Sequence, residues 1–356
     1  MKLGLGLYKS ILSEDNFRFA KQSGASHIVV QLVDYIKGGD NPSLTQNYLG
    51  GWGTTLNHNN LWEYDDLLRL KNSIEDQGLV WEAVENFDPS HWYDILLDGP
   101  LKEKQLDNVK YMVQNLGKVG VKIIGYYFSL AGVWGWTSRP SGRAGAHSIE
   151  FEQSKVDVQQ PIPNGMVWNM IYNPEANEGT VAAVSHEEIW HRLSNFLHEI
   201  IPVAEENGIV MAAHPDDPPL PVLRGTSRLI TNPSGYDKLL EVVDSKSNSI
   251  EFCMGTTQEM ASGDIYECLD KYSTMDKIAY IHFRNVKGKV PHYREVFVDE
   301  GDIDMIKALK ILKKNNFNGV IIPDHTPEMT CGSPWHAGMA YALGYMKGAI
   351  SSLNHE

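Results

Sequence analysis

Short runs of apolar, β-branched residues alternate along this chain with amphipathic stretches. The runs fall at residues 3–8, 27–33 ("HIVVQLV"), 79–84 ("LVWEAV"), 121–128 ("VKIIGYYF"), 209–214 ("IVMAAH"), 249–253 ("SIEFC"), 278–283 ("IAYIHF") and 319–324 ("GVIIPD"). Most are near-continuous in apolar character, as expected for parallel strands covered on both faces. Helical periodicity occupies 14–23, 61–76, 106–119, 185–207, 302–315 and 335–353. The longest of these opens on Ser185-His186-Glu187-Glu188, a capping-box pattern. Gly24, Gly78, Gly120 and Gly208 stand just before strands, where a left-handed helix cap is expected.

Eight strand–helix alternations predict a closed (β/α)8 TIM barrel. An open doubly wound sheet is the structural alternative, but no G-x-G-x-x-G follows an early strand to support it. A single domain over 1–356 is expected, since barrels with insertions reach this length. Two connections are too long for plain turns: 34–60 after the second strand and 129–184 after the fourth. Both are expected on the C-terminal face of the barrel, as active-site covers or as dimer contacts.

Composition narrows the function. The 31 basic and 45 acidic residues leave a formal charge of −14, which argues against nucleic acid as a partner but not against a small anion held by a few buried arginines. No apolar run approaches a membrane span, and residues 1–8 alternate like a strand rather than a signal peptide. Three cysteines, Cys253, Cys268 and Cys331, give no disulfide framework and fit a reducing compartment. A cytoplasmic enzyme without membrane contact is expected. A homo-oligomer, a dimer by base rate, goes with it.

The chemistry sits at strand ends. The fifth strand ends in His214, the sixth in Cys253, the seventh in His282 and the eighth in Asp324. Each has an ordinary structural reading alone, but a barrel brings these four ends together around one axis. One thiolate, two imidazoles and one carboxylate make a divalent-metal site, and by ligand softness the set suits Zn2+ or Fe2+. Cys268 and Cys331 fall in a helix and a loop and carry no assignment. Around the metal, His325 is a candidate proton-transfer group, or a support for Asp324. Arg284 shares a strand face with His282 and has the shape of a carboxylate clamp, with a salt bridge to Asp216, Asp217 or Glu251 as the structural alternative. Glu85, at the end of the third strand, is a candidate for binding substrate hydroxyls. Trp134 and Arg139 are candidate substrate contacts in the long insertion. His336 and Tyr341 are candidate acid–base groups that also read as helix packing.

The combination "HPDDPP" at 214–219, Arg228, "FCMGT" at 252–256, "HFRNVKG" at 282–288, "PDH" at 323–325 and "ALG" at 342–344 resembles the mannonate dehydratase family. The resemblance spans about 79–350 and implies a manganese-dependent TIM barrel that dehydrates D-mannonate to 2-keto-3-deoxy-D-gluconate. It implies metal ligation by His214, Cys253, His282 and Asp324, and catalysis by His325. The chain departs from the family pattern in two places. His336 and Met339, in "HAGMAYALG", stand where tyrosines are expected, and the fourth strand ends in "YYF" where an asparagine is usual.

The expected reaction removes the C2 proton and the C3 hydroxyl of an aldonic acid, with the metal and Arg284 stabilising charge on the carboxylate side. Metal-dependent sugar or uronate isomerisation, epimerisation or a different elimination is the alternative chemistry. A non-catalytic sugar-binding barrel is the alternative class.

Overall fold

The computed structural model describes residues 1–33 and 52–355. Eight parallel strands close a barrel: β1 (Lys2–Tyr8), β2 (His27–Gln31), β3 (Val80–Glu85), β4 (Ile123–Tyr126), β5 (Val210–Ala213), β6 (Asn248–Cys253), β7 (Ile278–His282) and β8 (Val320–Ile322). Each strand pairs with its neighbours in sequence, and β1 closes the ring on β8 with Lys2 opposite Val320 and Leu3 opposite Ile321. The chain is therefore a (β/α)8 barrel, and the closed ring disposes of the open-sheet alternative.

Alternation along each strand separates two cores. Val29, Ala83, Ile123, Ala212, Tyr280, Val320 and Ile322 form a small cluster within the barrel. Ile28, Val30, Val84, Ile124, Met211, Ile250 and Ile281 belong to the larger core under the helices. Two glycines make the interior possible. A Cβ at Gly4 would lie 2.5 Å from Val320 Cγ1, and one at Gly125 would lie 2.2 Å from the Tyr280 hydroxyl and 2.3 Å from Glu251 Oε2. Gly125 thus leaves room on the barrel floor for two polar side chains.

Among the described residues the helices are α1 (Glu14–Gln22), α2 (Tyr64–Glu75), α3 (Pro89–Leu97), α4 (Lys102–Val119), α5 (His186–Glu206), α6 (Pro233–Val242), α7 (Met254–Glu259), α8 (Ile265–Thr274), α9 (Met305–Lys314) and α10 (Pro334–His355). Ser185 caps α5 by accepting from the Glu188 N–H, as its sequence pattern predicts. Helices α3, α6, α7 and α8 go beyond the periodic stretches read from sequence. None of the described helices is long and apolar enough to cross a membrane.

Residues 34–51 of the first expected insertion lie outside the described residues. The rest joins the second: Gly53–Thr54 pairs with Met170–Ile171, which pairs with Met166–Val167. The second insertion also contributes Thr137–Arg139 and Ser148–Glu152 to a four-stranded antiparallel sheet. Its other two strands, Asn285–Lys289 and His292–Val296, form a hairpin that follows β7. That hairpin was not anticipated, and it carries site residues.

Candidate metal centre

The ends of β5, β6 and β7 bring His214, Cys253 and His282 together, with one donor atom of each within 4.8 Å of the others. Asp324, just past β8, has Oδ2 3.5 Å from His282 Nδ1. The tautomers suit a cation. His214 Nδ1 sits 2.6 Å from the Pro215 carbonyl and donates to it, which leaves Nε2 as the ligand-type nitrogen. His282 Nε2 lies 3.2 Å from Glu85 Oε2 and 3.0 Å from Glu251 Oε1. Its Nδ1, buried and without a hydrogen-bond partner, is left on the Asp324 side. Cys253 is fully buried, and its sulfur accepts from the Thr256 N–H and hydroxyl as the N-cap of α7.

Charge at this point favours a cation. Burial raises the Cys253 thiol, but Arg284, His214 and His282 override it and bring it down to about 5. Burial opposes charge on His214, yet Cys253 and Glu251 lift it to about 9. Burial likewise opposes charge on His282, which Asp324, Glu85 and Glu251 hold well above the usual imidazole range. Burial and the neighbouring Glu85 push Glu251 up to about 8. The anionic surplus draws protons onto imidazoles, the positions where a bound dication displaces them. A thiolate, two correctly oriented imidazoles and a carboxylate fit a divalent metal.

Arg284 lies behind this group and is 2 % exposed. Its Nη1 donates to Glu295 Oε1 at 2.6 Å, and its Nη2 to Asp217 Oδ2 at 2.7 Å and Thr256 Oγ1 at 2.8 Å. Glu259 Oε1 is 3.3 Å from Nη2. The clamp expected for a substrate carboxylate is therefore taken up by protein oxygens, because three buried acids surround the guanidinium. Asp216, by contrast, holds the chain: Oδ2 accepts from the Leu229 and Ile230 N–H groups, and Arg228 Nε lies 2.7 Å from Oδ1.

His325 follows Asp324, with Nδ1 2.9 Å from Glu295 Oε1 and its ring edge-on to Trp136. Burial opposes its charge, but Asp324 and Glu295 raise it to about 9. Glu295 and Tyr293 both come from the hairpin after β7. The Tyr293 hydroxyl donates to Asp217 Oδ1 at 2.6 Å and accepts from Trp136 Nε1 at 2.9 Å.

These groups border a cavity of about 80 Å3. His214, His282, Arg284, Asp324, His325 and Glu85 line it, while Cys253 is buried. Tyr8, Gln31 and Asn86 line it from β1 to β3, and Trp52, Tyr127, Trp136 and Trp168 supply aromatic walls. Four sequence candidates are not brought to the cavity. Trp134 is buried beneath Arg224, whose guanidinium carbon lies 3.8 Å from the ring centroid; two residues on, Trp136 is the one that reaches the site. Arg139 is exposed, with Nε donating to Thr137. His336 on α10 bonds Asn16 Oδ1 at 2.8 Å and packs edge-on to Phe19 of α1. Tyr341 packs against Phe297 near Arg143. Helix α10 packs on the outside of β1 and against α9, which keeps its side chains from the mouth. Met339 is likewise a core residue.

Sequence reasoning missed Gln31, Tyr293 and Glu295, whereas Asp217 takes the salt-bridge place beside Arg284 that the sequence offered as the alternative. Gln31 ends a strand as His282 does, so the same positional rule finds it. Nothing local marks the two hairpin residues.

The family model for D-mannonate dehydratase (UxuA) matches residues 44–356. Mannonate dehydratase 2 of Halalkalibacterium halodurans is 30% identical over 277 residues, 74% of this chain and 79% of that protein. The mannonate dehydratase of Geobacillus thermodenitrificans is 29% identical over 324 residues, 83% of this chain and 85% of its own. Among solved structures, mannonate dehydratase from Streptococcus suis serotype 2 superposes with a TM-score of 0.76 at 25% identity, covering 99% of this chain and 93% of the other. An L-ribulose 3-epimerase, at a TM-score of 0.57 and 11% identity, shares the fold.

Proposed function

Because this chain belongs to the D-mannonate dehydratase family, we propose that it is a hydro-lyase that converts D-mannonate to 2-keto-3-deoxy-D-gluconate with a divalent metal held by His214, Cys253, His282 and Asp324. The observation that carries this reading is the convergence of His214, Cys253 and His282 donors within 4.8 Å at one end of the barrel, with Asp324 3.5 Å from His282. We take Mn2+ as the resident ion, with Fe2+ and Zn2+ as the ions to compare. When bound, the metal supplies Lewis acidity beside C2, where negative charge builds as the proton leaves.

The chain's own groups do the rest. Glu295 accepts the His325 Nδ1 hydrogen bond, which leaves Nε2, 3.5 Å from Asp324 Oδ1, as the proton-transfer atom. Of the three histidines lining the cavity, His325 alone lies outside the ligand set. Held as an imidazolium by Asp324 and Glu295, His325 gives its Nε2 proton to the departing C3 hydroxyl, which leaves as water, and the neutral nitrogen takes the C2 proton, so the proton balance closes on one side chain. The enol then tautomerises to the 2-keto-3-deoxy acid. Arg284 keeps Asp217 and Glu295 in place, and Trp52, Trp136 and Trp168 shield the reacting carbons from solvent. The three cysteines are free, and Cys331 is exposed, which suits a reducing cytoplasm; a homodimer is the assembly we expect there.

The test is a thiobarbiturate assay for a 2-keto-3-deoxy acid, run on D-mannonate with the chelator-stripped protein reloaded with Mn2+, Fe2+ or Zn2+. Product formation that depends on the metal supports the reading. Turnover of a keto sugar with D-mannonate left unreacted replaces it with an isomerase or epimerase.

A further inference from the structure

We propose that Gln31 is a specificity residue that reads one hydroxyl of the substrate's carbon chain beyond C3, through its side-chain carbonyl. This deepens the sugar-acid reading above and rests on it.

The proposal starts from position in the ring. In an eight-stranded closed barrel β2 and β3 stand across the axis from β6 and β7, which carry Cys253 and His282. Gln31 is the last residue of β2, level with Tyr8 on β1, and lines the same cavity as the metal-ligand candidates. It is 8 % exposed.

The amide has a fixed orientation. Gln31 Nε2 donates to Glu85 Oε1 at 2.8 Å. An ionised carboxylate offers only acceptors, so the NH2 end must face Glu85 and the carbonyl must face away from it. The other oxygen of Glu85 lies 3.2 Å from His282 Nε2. Gln31 Oε1 is left buried without a hydrogen-bond partner. A buried acceptor in that state is destabilising until a donor arrives.

A sugar acid bound by its carboxylate end on the metal side carries further hydroxyls at C4 to C6. Each is a neutral donor of the kind Gln31 Oε1 needs. The carboxylate end itself is a poor match, because Glu85 stands beside the amide and repels it. The Gln31–Glu85 pair therefore selects a hydroxyl and sets which end of the substrate faces the metal. A purely structural glutamine that steadies Glu85 would affect every substrate alike, and this gives the discriminating experiment.

D-mannonate and its 4-, 5- and 6-deoxy analogues are turned over by the wild-type protein and by Gln31→Met, with metal content and melting temperature checked for both. The wild type is expected to prefer D-mannonate over one of the three analogues by about 10- to 100-fold in kcat/KM, and Gln31→Met to treat that pair alike. An equal loss on all four substrates, or no loss on any, overturns the proposal. If Gln31→Met does not fold, Gln31→Asn, which keeps the amide but withdraws it from the cavity, takes its place with the same expected pattern. If the wild type turns over no aldonate, the dehydratase reading fails instead. Calorimetric binding of the same four compounds then decides the subsite: discrimination by the wild type but not by the variant supports it, and equal or absent binding overturns it.

Discussion

Replacing Arg284 by Met removes the one guanidinium shared by Asp217, Glu259 and Glu295, all buried. Methionine fills much of the same volume, so the change is chiefly one of charge. Breaking a buried ion pair from one side destabilises by about 3–5 kcal/mol, because the partner is left uncompensated. Glu259 softens the effect, since burial and Asp217 already hold its carboxyl well above the usual range. Unfolding entropy of about 2.1 cal/mol/K per residue, over 356 residues, gives about 0.7 kcal/mol per degree. Arg284→Met is therefore expected to lower Tm by about 4–7 °C. The measurement is calorimetric melting with chelator present, so that both proteins are metal-free. Arg18→Met is the control: its pairs with Glu14 and Asp15 are exposed, and their loss is worth under about 1 kcal/mol. If Arg284→Met melts within about a degree of wild type, alongside that control, the guanidinium does not organise the site as argued.

The remaining predictions concern the site and one cap. Cys253→Ser is expected to weaken metal affinity by at least about 100-fold, read by competition with a chromophoric chelator; wild-type affinity would remove Cys253 from the ligand set. His325→Asn is expected to keep its metal and lower kcat by about 100- to 10,000-fold, and a kcat close to wild type would assign the proton transfer elsewhere. Asp88 caps α3 and accepts from Thr55, Ser90 and Asn57. Burial raises its carboxyl, but His91 and those hydrogen bonds hold it below its ordinary value. Its contribution is thus complete above about pH 4, the unfolded value, and is lost as pH falls through the lower folded one. Asp88→Ala should cost about 1–2 kcal/mol at pH 7, with the difference from wild type shrinking below about pH 4 in acid titrations followed by circular dichroism; a constant difference would refute the assignment.

The barrel was legible because buried parallel strands advertise themselves locally. Each apolar run overlaps one barrel strand, and four strand-end side chains pointed to a common mouth before any contact was known. The limits of local reading appear at the same site. Glu295 and Tyr293 belong to a hairpin of mixed polarity, and their partners Arg284, Asp217 and His325 are 11, 76 and 30 residues away. No periodicity encodes a contact of that kind. Trp134 and Trp136 are alike in sequence, and only the path of the insertion decides which of them meets His325. His336 and Tyr341 follow Asp324 closely along the chain, yet α10 carries them to the outer layer. Arg284 has the expected neighbourhood and a different occupation, because sequence cannot count how many acids crowd one guanidinium.

The four-stranded sheet over the mouth is assembled from two excursions, one leaving the barrel after β4 and the other after β7. Neither half is complete alone: without its counterpart, Ser148–Glu152 or His292–Val296 would present an open strand edge. Loop shuffling among related barrels must therefore exchange the two excursions as a matched set. Drift in either one is constrained by a partner more than a hundred residues distant, and new specificities are easier to reach through the strand tips than through this canopy.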